Sequence, residues 1–209
     1  MTSSLSLRRL SVSVFVHSAL WLLLILVAAG ANAQDRRQEI RSMLESRDVE
    51  IKRLLGRDDA SVTPAQKERL RTVINDVIDF RAMGRASLGT HWTGLSTTQQ
   101  DEFVAVFTDI VRSQSLASLD PYRARVQYDG VTVYGNSARV VTSTVYKDVP
   151  MKVEYDLAFA GGTWRATDIV LDNVSTVEGY SRSFQSMVRR RGFDALMERL
   201  RKKQAGAAD

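Results

Sequence analysis

Cysteine is absent from the 209 residues, and histidine occurs only as His17 and His91. Without a thiol the chain forms no disulfide, no iron–sulfur cluster and no cysteine nucleophile, and two histidines leave the common zinc ligand sets out of reach. Proline occurs three times, at Pro64, Pro121 and Pro150. Repeats, low-complexity linkers and a glycine-rich phosphate loop are missing, and Gly161-Gly162 reads as a hairpin turn. No Gly-x-Ser-x-Gly elbow accompanies His91, which sits beside Trp92 and reads as a satisfied loop or core histidine. Asp58-Asp59 reads as turn polarity, and Asp76, Asp79, Arg81 and Arg85 as pairing and capping around a helix junction. No metal site, cofactor site or catalytic constellation is expected.

The N-terminus has the order of a secretory signal. Arg8-Arg9 precede an apolar run that ends in Leu22-Leu23-Leu24-Ile25-Leu26-Val27, and Ala31-Asn32-Ala33 supplies a small-x-small cleavage site. Cleavage after Ala33 leaves Gln34 as the first mature residue, with 34–209 as a single domain and a loose tail from about 204. No cysteine follows the run, so no lipoprotein anchor is expected. Removing Arg8 and Arg9 lowers the formal charge of +5 to +3. That mild excess suits contact with an anionic membrane surface and is too dispersed for nucleic acid. It is concentrated near the end, in Arg189-Arg190-Arg191, Arg199, Arg201, Lys202 and Lys203, where the helix dipole also favours cations.

Helical patterning comes first. Ile40, Met43, Leu44, Ile51, Leu54 and Leu55 form one stripe, and Leu70, Val73, Ile74, Val77 and Ile78 a second. Thr63, Pro64 and Gln66 make a capping box with proline at the first helical position, and Ser96 with Gln99 makes another. The helix opened by Ser96 carries Phe103, Val106, Phe107 and Ile110 on one face. A short helix fills Phe80 to Leu88, with Gly89 as its stop.

The period then changes to two. Met151, Val153, Tyr155, Leu157 and Phe159 alternate with polar residues, the mark of a strand with one buried and one wet face. Flanking segments 125–134, 138–146 and 163–171 complete a four-stranded antiparallel meander. The apolar parity shifts near Asp168, which predicts a bulge. Helical stripes through Val177–Val188 and Phe193–Leu200 close the chain. Helices, strands, then helices make an α+β fold. A curved sheet incompletely covered by helices leaves an apolar cavity suited to an apolar ligand.

Four blocks in order carry a resemblance to one family. They are Ile78-Asp79-Phe80-Arg81-Ala82-Met83-Gly84-Arg85-Ala86-Ser87-Leu88-Gly89-Thr90-His91-Trp92, the Leu95–Phe107 helix with Gln99, Glu102 and Phe103, the Trp164–Ser175 segment followed by Tyr180 and Phe184, and the closing Gly192-Phe193-Asp194-Ala195-Leu196 to Lys203. Together they resemble MlaC-type periplasmic phospholipid-binding proteins, known also as toluene-tolerance auxiliary components of ABC transporters. Asn173 stands where the family has glycine, and Ser181 where an arginine follows the tyrosine; asparagine is still able to take the turn conformation.

The resemblance implies an NTF2-like or cystatin-like fold with acyl chains between a curved four-stranded sheet and the helices. It implies a monomeric, non-enzymatic shuttle moving phospholipid between outer and inner membranes. Its implied partners are an outer-membrane lipoprotein–porin complex and an inner-membrane ABC transporter with an MCE-domain ring. Periodicity, rather than matched family ligands, nominates the lipid-contacting residues: Val106, Phe107 and Ile110 on the helix, Val153, Tyr155, Leu157 and Trp164 on the sheet, with Val73 and Val77 closing one side. Other readings are a carrier of another lipid such as a hopanoid, a non-catalytic adaptor with a filled core, and an NTF2-like enzyme using His91.

Overall fold

The computed structural model describes residues 13–57 and 61–206, with side chains from Gln34 onward. The expected signal segment and Asp58-Asp59 lie outside the described side chains. The chain divides into a unit ending at Glu39 and a unit beginning at Ile40, and the second holds the fold. Helix α1 spans Ser13–Leu55, and among the described residues no helix is long and apolar enough to cross a membrane.

Both capping boxes form. Thr63 accepts from the Gln66 N–H while Gln66 Oε1 accepts from the Thr63 N–H at 2.9 Å, opening α2 (Pro64–Asn75). Ser96 and Gln99 repeat the exchange at 2.9 Å at the start of α4 (Thr97–Ser115). Between them α3 (Phe80–Leu88) starts where Asp79 caps the Ala82 N–H at 2.8 Å, and it stops at Gly89, whose φ of +56° suits only glycine at low cost. A 3-10 turn, Gly89–Gly94, leads into α4.

The sheet has five antiparallel strands in chain order, β1 (Gln127–Tyr134), β2 (Ser137–Tyr146), β3 (Val149–Ala160), β4 (Thr163–Leu171) and β5 (Val174–Ser175). The expected count of four is corrected by β5, whose two residues pair back onto Val170 and Leu171. It is too short to show any alternation in sequence. Register places Tyr128, Thr142 and Val153 in one row of the inner face, and Val131, Val140, Tyr155 and Ile169 in the next. Val133, Ala138, Leu157 and Ala166 follow. The bulge predicted near Asp168 is present: Asp156 pairs with Asp168 and Leu157 with Ala166, leaving Thr167 extra. A second bulge lies between Tyr128 and Gly130. Each bulge bends its strand and increases the twist.

The outer face is charged. Arg139 grips the Asp156 carboxylate through two hydrogen bonds of 2.7 and 2.9 Å, and the largely buried Glu154 is held between Lys152 and Arg139. The free half of β4's edge is covered by the α2–α3 connection, where Ala166 donates to Val77 O at 2.7 Å and Asp79 donates to Ala166 O at 2.8 Å. This pairing blunts an edge that otherwise offers unpaired backbone groups.

Helices α5 (Thr176–Arg191) and α6 (Phe193–Ala205) follow the sheet, so ordered helix continues to Ala205, just past the expected start of the tail. The core forms two clusters. The larger joins α3–α6 to the inner sheet face through Met83, Phe103, Phe107, Val140, Trp164 and Leu196. The smaller packs Ile51, Leu54 and Leu55 of α1 against Leu70 and Val73 of α2.

Candidate functional site: an apolar groove beside the C-terminal helices

The groove exists because β4 and α5 are tied together at a sharp return. Asp172 and Asn173 have φ of +46° and +66°, so Asn173 takes the left-handed conformation that a glycine would adopt freely. The Asp172 carboxylate accepts from the Lys152 N–H at 2.8 Å and anchors this turn to β3. Asp168 then organises the helix start. Its Oδ1 accepts from the N–H groups of Ile169 at 2.8 Å and Val177 at 3.0 Å, and its Oδ2 accepts from the Ser175 hydroxyl. Ser175 Oγ in turn accepts from the Glu178 N–H at 2.9 Å, capping α5.

Beside this return, residues of α4, α5 and α6 line an open groove of about 470 Å³. That volume falls in the range of small-ligand sites, about 300–1,000 Å³. Its floor is Ile110, Phe184, Leu196 and Leu200, all buried. Its walls include Leu171 and Val174 from the return, Tyr180 and Met187 from α5, and the Cα of Gly179. Exposed polar side chains stand at the rim, Gln114, Ser183, Arg199 and Lys203, and the partly buried Ser175 and Thr176 line it at the start of α5. The Tyr180 hydroxyl donates to Gln114 Oε1, and burial raises its pKa. A mostly apolar trough with a few rim polar groups fits an apolar chain with a polar end.

A second groove of about 520 Å³ runs alongside and shares Ser183, Met187 and Arg199 with the first. Its lining is strongly basic, adding Arg182, Arg190 and Arg191.

Elsewhere on the inner sheet face lies a polar cluster. Burial pushes the Tyr155 phenol up to about 12, helped by the charges of Tyr122 and Asp48. Burial raises Tyr122 to about 12. Tyr128 is also raised, first by burial and then by Asp48, with the Arg41 guanidinium 5.6 Å from its ring centre.

Of the nine nominated residues, Ile110 alone lines the groove. Val77, Val106, Phe107, Leu157 and Trp164 are buried in the larger cluster, and Tyr155 packs half-buried against it. Val73 belongs to the smaller cluster. Val153 is half-buried on the inner face, directly opposite Leu171 of the groove wall. Sequence reasoning missed Leu171, Val174, Met187, Leu196 and Leu200. Their apolar stripes are legible, but a stripe that lines a gap has the same period as one that fills a core. Among the described residues no group of three His, Asp or Glu side chains is arranged to hold a metal ion. His91 sits half-buried in the 3-10 turn before α4.

No curated protein matches the sequence. Among solved structures, the fold is similar to a phospholipid-binding protein from Ralstonia solanacearum in complex with a phospholipid. The TM-score is 0.68 at 15% identity, covering 83% of this chain and 98% of that one. The family model described as MlaC protein matches residues 48–202, which take in α2 to α5, most of α6 and the whole sheet. The chain belongs to the MlaC family.

Proposed function

We propose that this protein is a periplasmic phospholipid carrier, the soluble component of an ABC-type lipid transport system. The observation that carries the reading is the groove lined by α4, α5 and α6, with Ile110, Phe184, Leu196 and Leu200 at its floor. Family membership and the phospholipid in the Ralstonia solanacearum relative support it. A non-enzymatic binding role is part of the same reading, supported by family membership and the phospholipid-bound relative.

The energetics suit a shuttle. Burying a methylene yields about 0.8 kcal/mol, so a chain of about 16 carbons gains on the order of 12 kcal/mol on leaving water. A bilayer offers the same gain, so exchange between carrier and membrane is close to neutral. Binding then needs shape and apolarity more than a tight polar clamp.

In this reading the acyl chain enters the groove beside Leu171. It continues across the inner face over Val153 and Tyr155, because Val153 stands opposite Leu171. Val106, Phe107, Leu157 and Trp164 back that path, and Val73 and Val77 bound its far side. The curved sheet and its helices make an NTF2-like or cystatin-like cone. The chain is delivered to the periplasm by a signal removed after Ala33, and it works as a monomer. It exchanges lipid with an outer-membrane lipoprotein–porin complex and an inner-membrane transporter bearing an MCE-domain ring.

Native mass spectrometry of the exported protein, followed by solvent extraction, tests this directly. The expected result is a polypeptide mass that begins at Gln34 with a stoichiometric phospholipid adduct. A hopanoid adduct keeps the carrier and changes the cargo. A bare protein that also takes no lipid from vesicles overturns the carrier and leaves an adaptor.

A further inference from the structure

Residues 176–206 contain eight arginines and lysines against three acids, an excess of five that equals the formal charge of the whole chain. Helix-dipole compensation accounts for Arg189, Arg190 and Arg191 in the last turn of α5. It does not account for Arg182 or Arg199, which lie in earlier turns of their helices yet line the same groove as Arg190 and Arg191. Arg182 is paired with Glu178 at 3.4 Å and Arg201 with Glu102, whereas Arg190, Arg191 and Arg199 have no ion-pair partner among the described residues. Bringing three unpaired guanidinium groups to one groove costs repulsion that an anionic surface would relieve.

Two large apolar side chains stand beside this charge. Leu171 is 46% exposed and Val174 60% exposed, on either side of the Asp172-Asn173 return. Both are walls of the apolar groove, whose rim Arg199 is shared with the basic one. Exposed apolar residues on a fixed turn, flanked by unpaired cations, are the combination that seats a protein on an anionic bilayer. The cations meet the phosphates while the apolar tips enter the acyl boundary.

We propose that the edge formed by the β4–β5 return and the basic α5–α6 groove docks on the surface of an anionic phospholipid bilayer. Leu171 and Val174 enter the interface, and Arg190, Arg191 and Arg199 lie against the phosphates. Docked this way, the mouth of the apolar groove faces the membrane. The surface shares Leu171, Val174 and Arg199 with the lipid groove, so Arg190 and Arg191, which line only the basic groove, are the residues that separate docking from carriage.

The test is co-sedimentation of the mature chain with vesicles of phosphatidylcholine alone and of phosphatidylcholine with phosphatidylglycerol, at low and high salt. Binding is expected only with phosphatidylglycerol, and it weakens as salt rises. Each basic residue near such a surface contributes about fivefold in affinity, so Arg190→Gln and Arg191→Gln together, both outside the lipid groove, cost about twenty-five-fold. Leu171→Ser with Val174→Ser weakens binding and leaves the salt dependence in place. Circular dichroism matching the parent shows that the variants are folded, and lipid adducts by mass spectrometry report carriage separately. The proposal is overturned by equal binding to neutral vesicles, by no binding to anionic ones, or by full binding of the arginine variant. No vesicle binding together with an intact lipid adduct would leave the carrier standing and assign the basic edge to an acidic protein partner.

Discussion

Gly179 offers a perturbation that separates groove occupancy from folding. It sits in α5 at the groove wall, and a Cβ added there meets no atom within 4 Å. A leucine at this position therefore projects into open groove without disturbing the helix. In a helix leucine is better than glycine by up to about 1 kcal/mol, less near the N-terminus, so Gly179→Leu stabilises the fold by about 0.5–1 kcal/mol. For a domain of this size that raises Tm by roughly 1–4 °C. The same side chain excludes about three methylenes of a bound chain. At about 0.8 kcal/mol each, retention falls by about 2–3 kcal/mol, or thirtyfold to over a hundredfold. The assay is paired: thermal unfolding of lipid-stripped protein, and the lipid-bound fraction by native mass spectrometry after exchange with vesicles. Gly179→Ala is the control, expected to stabilise with little change in loading. A leucine variant that is more stable and still fully loaded would place the acyl chain elsewhere and refute the groove assignment.

Gly84 of α3 faces α4 so closely that an added Cβ lies 3.0 Å from Phe103. Phe103 is fully buried and cannot yield, being stacked on Phe107 at 5.6 Å and set edge-on to Phe184 at 5.9 Å. Gly84→Ala thus gains about 1 kcal/mol in helix propensity and loses about 1–3 kcal/mol to overpacking, a net destabilisation visible as a lower urea midpoint at unchanged slope. Asp168→Ala removes the acceptor for Ile169, Ser175 and Val177 together, and should cost about 3 kcal/mol in the same assay. A loss under 1 kcal/mol would show that water replaces the carboxylate. Buried tyrosines contribute to alkaline stability. Tyr122 and Tyr155 ionise at about 12 in the fold against 10 when unfolded, so their contribution is intact below pH 10 and is lost as pH rises from 10 to 12. The loss is on the order of 2–3 kcal/mol per tyrosine. Tyr155→Phe should flatten this slope, and an unchanged slope would assign the transition to other groups.

Where the sequence speaks through local chemistry, it is legible. The two capping boxes, the Gly89 stop, the bounds of α3 and β4 and the bulge beside Asp168 all follow from side chains acting within a few residues of themselves. The fifth strand is invisible because a two-residue pairing has no period. The groove is harder still. Ile110, Leu196 and Leu200 are spaced as core residues are, and they are as buried as core residues are, at 1%, 1% and 4% exposure. What distinguishes them from Phe107 is only that they line a groove shared by α4, α5, α6 and the β4–β5 return, and the meeting of four elements is not written in the pattern of any one.

That difficulty has a physical reason. A site that recognises hydrocarbon uses the same side chains that fill a core, so its residues carry no chemical signature of their own. The informative residues are instead the ones a filled core would not need. Exposed Leu171 and Val174 gain nothing for folding by pointing outward, and Arg190, Arg191 and Arg199 gain no ion pair by gathering at one edge. Gly179 lets the wall of α5 remain hollow where leucine would stabilise it. Leu171, Val174 and Gly179 give up stability at one groove, and Arg199 joins that groove to the basic one beside it. Natural sequences sit near the stability their function permits, so a cluster of such concessions marks function more clearly than the apolar lining does.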